Sequence, residues 1–243
     1  IGVRLVGSEM CIRDSLYSMP TDEFRTQMEY LKENGYKTIK LGDYASRRKA
    51  GDSFHKECVL IFDDGYLDNL TNAAPIMKEY GYIGNMFMAG MYEGWPGYLT
   101  WDEEVKLAQY GWELGSHTYI HKPLPLLSRQ ERKADLKKSH DHMLGLYYSP
   151  NGVTLSYPNG AYNKEVVEDV KEAGYAAGVT GLIGTNTEQD GLLTLRRVNV
   201  FHHKAKNLEH FKRALYKAQL ISWVNEKTGY DLNRFLLWYY HKK

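Results

Sequence analysis

The sequence predicts an α/β fold of parallel strands covered by helices, and three observations carry that prediction. The first is punctuation: Asn34-Gly35, Tyr80-Gly81, Tyr110-Gly111 and Ala173-Gly174 each close a helical stretch with a glycine suited to the left-handed cap, and an aromatic residue opens the next segment. The second is a set of short apolar runs that end in polar chemistry. Residues 59–62 precede Asp63-Asp64, residues 153–155 precede Ser156-Tyr157-Pro158, and further strands are expected over 83–88 and 193–200. The third is where the polar groups fall, because a parallel α/β barrel collects its active site at the carboxyl ends of its strands. The glycines are unequally spaced, which describes successive βα units rather than a solenoid.

From Pro20 onward, Phe24, Met28 and Leu31 recur at the three-to-four-residue spacing of one apolar helix face. No Pro/Gly/Ser-rich linker and no low-complexity tract interrupts the chain, so one domain is expected over residues 16–206. A helical tail containing Phe211, Leu215 and Leu220, residues 207–243, packs against it. Residues 5–15 read LVGSEMCIRDS, which resembles the translation of a transposon sequencing adapter and is set aside from fold reasoning. On that reading residues 1–15 are foreign, Cys11 with them, and the first strand of the fold and any export signal are missing.

Composition limits the function. In 243 residues, 43% hydrophobic, 31 basic side chains nearly balance 30 acidic ones, so nothing asks for nucleic acid or an anionic membrane as a partner. No apolar stretch approaches the roughly 18 residues of a spanning helix. Cys11 and Cys58 are too few for a disulfide framework and fit no zinc-binding spacing, so Cys58 is read as an inert thiol.

Three segments carry chemistry. In Ile61-Phe62-Asp63-Asp64-Gly65 a strand delivers two adjacent carboxylates, a costly arrangement unless a cation is bound. One carboxylate then ligates, and the other stays ionised as a general base. The competing reading is that both cap a helix beginning near Asp68. His117 and His121 are spaced i and i+4, so on a helical turn they share a face; with Asp64 they make two imidazoles and a carboxylate, a set that leaves positions open for water and substrate. Two ordinary loop histidines are the alternative. In Ser156-Tyr157-Pro158-Asn159-Gly160 a tight turn at a strand end aims a backbone N–H, assigned to Asn159, at a developing oxyanion, or is merely a turn.

These segments, in this order, resemble the polysaccharide deacetylase family of the NodB homology domain, carbohydrate esterase family 4. The resemblance spans roughly residues 17–200 and includes Leu99-Thr100-Trp101-Asp102-Glu103 and Leu195-Arg196-Arg197-Val198-Asn199-Val200. It implies a distorted (β/α) barrel and a zinc-type site in which Asp63 matches the catalytic base and Asp64, His117 and His121 match the metal ligands. Two departures stand out. Many members pair the catalytic Asp with an Arg where this chain has Ser156, and Tyr is more usual than Asn159. Arg196 or Arg197 is the nearest substitute for the Arg, with Arg197 favoured, and His202 or His203 is the candidate general acid.

The expected function is metal-dependent removal of acetyl groups, N-acetyl before O-acetyl, from an acetylated cell-surface polysaccharide outside the cell. The alternatives are a catalytically silent glycan-binding domain that retains the metal site, and an amidohydrolase of non-glycan substrates.

Overall fold

The computed structural model describes residues 2–3, 19–147, 149–200, 207–229 and 232. Its elements run β1 (Gly2–Val3), α1 (Thr21–Glu33), β2 (Lys37–Thr38), α2 (Leu41–Lys49), β3 (Glu57–Cys58), β4 (Ile61–Asp64), α3 (Ala74–Glu79), β5 (Asn85–Met88) and α4 (Trp101–Gln109). They continue with β6 (Glu113–Ser116), α5 (Arg129–Leu146), β7 (Thr154–Ser156), α6 (Lys164–Glu172), β8 (Ala177–Ile183), β9 (Leu195–Arg197), β10 (Asn199–Val200) and α7 (Asn207–Thr228).

Among the described residues eight strands, all parallel, form one sheet in the order β10-β1-β4-β5-β6-β7-β8-β9, while β2 and β3 form a separate parallel pair. β9 and β10 sit at opposite edges of this sheet, yet only Val198 separates them in the chain. Consecutive Cα atoms lie about 3.8 Å apart, so the chain itself joins the two edges and the sheet curls into a distorted barrel. Residues 193–200, expected as a single strand, are therefore two strands with a closing link. The expected gap at the first strand is also corrected: Gly2–Val3 fills it, pairing with β10 on one side and β4 on the other. Two backbone units in register need no side-chain pattern, which is why the strand could not be read from the residues.

Strand alternation sorts the core into two layers. Phe62, Met86 and Met88 pack outward among Phe24, Met28 and Leu31 of α1 and other helix residues. Ile61 and Phe87 instead pack with Ala177, Val179 and Leu195 of the strands across the barrel. Burying each of the large α1 side chains is worth about 1.5–3 kcal/mol, and α1 stops where its glycine predicts: Gly35 has φ 74° and the Tyr36 N–H donates to the Leu31 carbonyl at 2.9 Å. The helix expected near Asp68 begins as a π-helical turn, Asn69–Ala73, before α3. Pro75 in the first turn of α3 has a ring that crowds the backbone one turn earlier, and a wider turn relieves that. The tail helix α7 packs through Phe211 edge-on to Tyr30 of α1, and its Ser222 hydroxyl both accepts from and donates to the Thr185 backbone. Cys58 is buried, which pushes its thiol up to about 11 and keeps it protonated at neutral pH. Among the described residues no helix is long and apolar enough to cross a membrane.

One buried acid carries a measurable consequence. Glu104 of α4 is 0% exposed, and neither carboxyl oxygen has a hydrogen-bond partner among the described residues. Burial, with the Glu93 charge adding to it, pushes Glu104 up from 4.5 to about 9. Between those values the folded chain holds a proton that the unfolded chain has lost, so this term is fully present below 4.5, declines as pH rises and is gone above about 9. Glu104→Gln keeps the shape without the titration. Thermal unfolding of this variant from mildly acidic to alkaline pH is expected to show a smaller loss of stability than the parent; equal losses would show that Glu104 ionises normally.

Candidate metal and catalytic site

The site forms at the carboxyl ends of adjacent strands. The observed β4 runs two residues further than the apolar pattern suggests, because Asp63 and Asp64 pair in register with Phe87 and Met88 of β5. Asp64 is buried and takes φ 74°, an uncommon conformation for a non-glycine residue and one that clusters at functional sites. Two strands along, β6 ends at Ser116, and the His117 N–H donates to the Met88 carbonyl at 2.7 Å.

His117 and His121 do converge, but not on a helical turn. Residues 117–121 form a loop in which Thr118 (φ 65°) and His121 (φ 51°) are left-handed. Side-chain acceptors stabilise that path: Asp135 Oδ1 of α5 accepts from the N–H groups of Tyr119 (3.1 Å) and Ile120 (2.9 Å), and Thr118 Oγ1 accepts from the His121 N–H at 3.2 Å. The i and i+4 spacing meets on one side through this curl, with ring centroids 4.8 Å apart.

The three ligand atoms of Asp64, His117 and His121 lie within 4.8 Å of one another. Asp64 Oδ1 is 3.4 Å from His117 Nε2 and 3.0 Å from His121 Nε2. His117 Nδ1 lies 2.7 Å from the Ser156 carbonyl of β7. A carbonyl only accepts, so Nδ1 carries the proton and the Nε2 lone pair faces Asp64. Burial pushes the His117 pKa down, against the pull of Asp63 and Asp64, which favours the neutral ring that a metal requires. Tyr92 places its hydroxyl 3.3 Å from His121 Nδ1 on the far side of that ring.

Asp63 belongs to a different face. By alternation it points into the barrel with Ile61, and Arg197 shares the face of Leu195 on β9. The two meet across the interior, Arg197 Nη1 donating to Asp63 Oδ2 at 2.7 Å. Ser156 Oγ lies 3.5 Å from the same nitrogen, so a small residue stands where the arriving guanidinium needs room. Arg196, on the opposite face, pairs instead with Asp190 at 3.1 Å. Burial pushes the Asp63 carboxyl up, but the charge and hydrogen bond of the Arg197 guanidinium oppose it, and the pKa lies below the usual carboxylate value. Asp63 Oδ1 is buried and has no hydrogen-bond partner among the described residues, which leaves it free to accept a proton.

Asn159 sits in the turn Pro158–Gly160 just past β7, left-handed at φ 54° and exposed. The turn is closed by the Gly160 N–H donating to the Tyr157 carbonyl at 2.7 Å. A Cβ on Gly160 would lie 2.2 Å from the Gly181 nitrogen of β8, so only glycine lets the turn rest on that strand. His202 and His203 lie outside the described residues. Sequence reasoning missed Asp135, which shapes the histidine loop, and the contact of Tyr92 with His121. The one available signal for Asp135 was an acidic residue on the inward side of a helix.

Residues 50–178 match the polysaccharide deacetylase family. The chain belongs to that family. Among curated proteins, it is 35% identical over 186 residues to YxkH of Bacillus subtilis, whose name places it with the polysaccharide deacetylases; the match covers 75% of this chain and 65% of that one. It is 29% identical over 179 residues to the poly-beta-1,6-N-acetyl-D-glucosamine N-deacetylase of Staphylococcus epidermidis, covering 68% and 61%. The chain thus spans less than two thirds of the length of either relative. In fold it is similar to the Streptococcus pyogenes deacetylase PplD, with a TM-score of 0.75 over 87% of this chain and 94% of that one at 22% identity. The distorted (β/α) barrel that the family resemblance implied is therefore the fold of this chain.

Two imidazoles and a buried carboxylate fit a divalent cation, and the Nδ1 hydrogen bond of His117 is the kind of outer contact that fixes a ligating ring. His117→Ala and His121→Ala are each expected to weaken zinc binding by more than the about 10–100-fold that loss of an outer partner costs. Competition against a chromogenic chelator measures this, and unchanged affinity would place the metal elsewhere.

Proposed function

We propose that this polysaccharide deacetylase hydrolyses acetyl groups, N-acetyl in preference to O-acetyl, from a cell-surface polysaccharide outside the cell. Zinc is the proposed metal, held by Asp64, His117 and His121. The observation that carries the reading is Asp63: a part-buried carboxylate, held by Arg197 through one oxygen and with its other oxygen buried and without a hydrogen-bond partner among the described residues, beside the Asp64-His117-His121 cluster. The name of the Staphylococcus epidermidis relative supports an N-acetylated glycan as the substrate class.

A cation in the cluster supplies Lewis-acid polarisation of the acetyl carbonyl and acidifies the attacking water. Asp63 Oδ1 accepts the proton of that water as its oxygen bonds to the acetyl carbon. Arg197 keeps the Asp63 carboxylate ionised and aimed, so the base is ready at neutral pH. Charge growing on the former carbonyl oxygen is assigned to the Asn159 N–H. The carbon–nitrogen bond then breaks, acetate departs, and the sugar amine takes a proton from His202 or His203, which follow β10 in the chain.

Acetate release from a panel of acetylated glycans, by metal-stripped and zinc-restored protein, tests this. Asp63→Asn is expected to lower turnover by about 10²–10⁴-fold while binding zinc as the parent does, and Arg197→Ala by about 10–100-fold. Undiminished turnover in Asp63→Asn would remove Asp63 from the role of base. No acetate from any glycan by folded, zinc-loaded protein would favour a silent glycan-binding domain, or an amidohydrolase if a non-glycan amide is cleaved.

A further inference from the structure

The two histidines of the metal cluster are held by different kinds of group. His117 Nδ1 donates to the backbone carbonyl of Ser156 on β7 at 2.7 Å, in a buried contact. That acceptor belongs to the main chain, so any residue at 156 supplies it. His121 has no such carbonyl. Among the described residues, the hydrogen-bond partner of its Nδ1 is the Tyr92 hydroxyl at 3.3 Å. The His121 side chain is also the more open of the two, 22% exposed against 4% for His117.

The protons of the ring make this contact matter. His121 Nε2 lies 3.0 Å from Asp64 Oδ1 and is the nitrogen that faces the cluster. A cation there takes the Nε2 lone pair, which leaves the single proton of the ligating ring on Nδ1. An N–H in a part-buried place loses stability without an acceptor. A phenol oxygen accepts, and Tyr92 provides one on the side of the ring away from Asp64.

The backbone determines where that phenol stands. Tyr92 ends a short helical turn, Gly90–Tyr92, in the loop between β5 and α4, residues 89–100. The Gly90 and Met91 N–H groups donate to the carbonyls of Thr118 (3.2 Å) and Tyr119 (2.8 Å) in the histidine loop. A Cβ on Gly90 would lie 2.6 Å from the Tyr119 ring, so glycine lets the turn lie against that loop without a shift. The Tyr92 ring meets the His121 ring edge-on at 5.4 Å and is backed by Tyr98 at 4.9 Å. Main-chain hydrogen bonds and ring packing thus set the separation of phenol and imidazole before any cation arrives.

We infer that Tyr92 is a positioning residue for the metal: its hydroxyl oxygen accepts the Nδ1 proton of His121 and fixes that ring with Nε2 toward the cation. The inference rests on the reading of Asp64, His117 and His121 as the metal ligands. Competition for zinc against a chromogenic chelator tests it on purified protein, without turnover. Tyr92→Phe keeps the ring and its packing and removes the oxygen alone. It is expected to weaken zinc binding by about tenfold, at the lower end of what loss of an outer partner costs. In a His121→Ala background Tyr92→Phe should make no further difference, because the group that the hydroxyl serves is gone. Tyr98→Phe, which removes a neighbouring phenol, should bind zinc as the parent does. Equal losses from Tyr92→Phe in both backgrounds would show the hydroxyl acting on the site without His121 and overturn the assignment. Zinc affinity unchanged in Tyr92→Phe but weakened in His121→Ala would overturn it and leave the metal site standing, whereas affinity unmoved by either would overturn the metal site as well.

Discussion

Two adjacent carboxylates at the end of β4 set the terms for the rest of this structure. Asp63 and Asp64 leave the same strand in succession, so alternation sends them to different surroundings, and each needs a positive partner in a place where water is scarce. Asp64 faces two imidazoles from the loop after β6, and Asp63 faces a guanidinium from β9. The first arrangement can hold a cation and the second cannot, because its partner already carries the charge. One strand end thus places two carboxylates in opposite surroundings.

The guanidinium reaches Asp63 only because the sheet closes. β9 and β4 are far apart in strand order, with four strands between them along one path, and the link through Val198 returns the chain to the other edge beside β1 and β4. Arg197 therefore projects across the interior of a barrel rather than along a flat sheet. Closure also explains why Ser156 is tolerated at the turn after β7: charge reaches Asp63 from the opposite side, and a long residue at 156 would compete for the volume that Arg197 occupies.

The helices outside the barrel do more than cover it. α5 contributes Asp135, whose single oxygen gathers two backbone N–H groups and gives the histidine loop its left-handed path. The loop 89–100 is bound to that same path, so it shares one scaffold with the Asp64-His117-His121 cluster. At the other end of the barrel, the N–H groups of Leu41 and Gly42 at the start of α2 find acceptors on Asn85 and Glu113. Strand ends and helix starts are coupled by buried polar contacts at both rims.

The sequence by itself determined what depends on neighbours in the chain. Glycine stops, apolar runs and the strand-end aspartates specified βα units and the residues of the site, because caps and strand edges are local physics. The capping boxes Thr100-Glu103 and Ser128-Glu131 were equally local, and the second was a readable signal for α5 that the periodicity obscured. Tertiary structure alone decided the rest. Arg196 and Arg197 are indistinguishable until strand register assigns one to each face. The histidines share a side through a loop shaped by a helix residue, not through helical spacing. α2 has no side-chain cap of its own and begins where residues 44 and 71 positions away accept its first N–H groups. Such partners are set by closure of the sheet, and closure is a property of all the strands together that no single segment encodes.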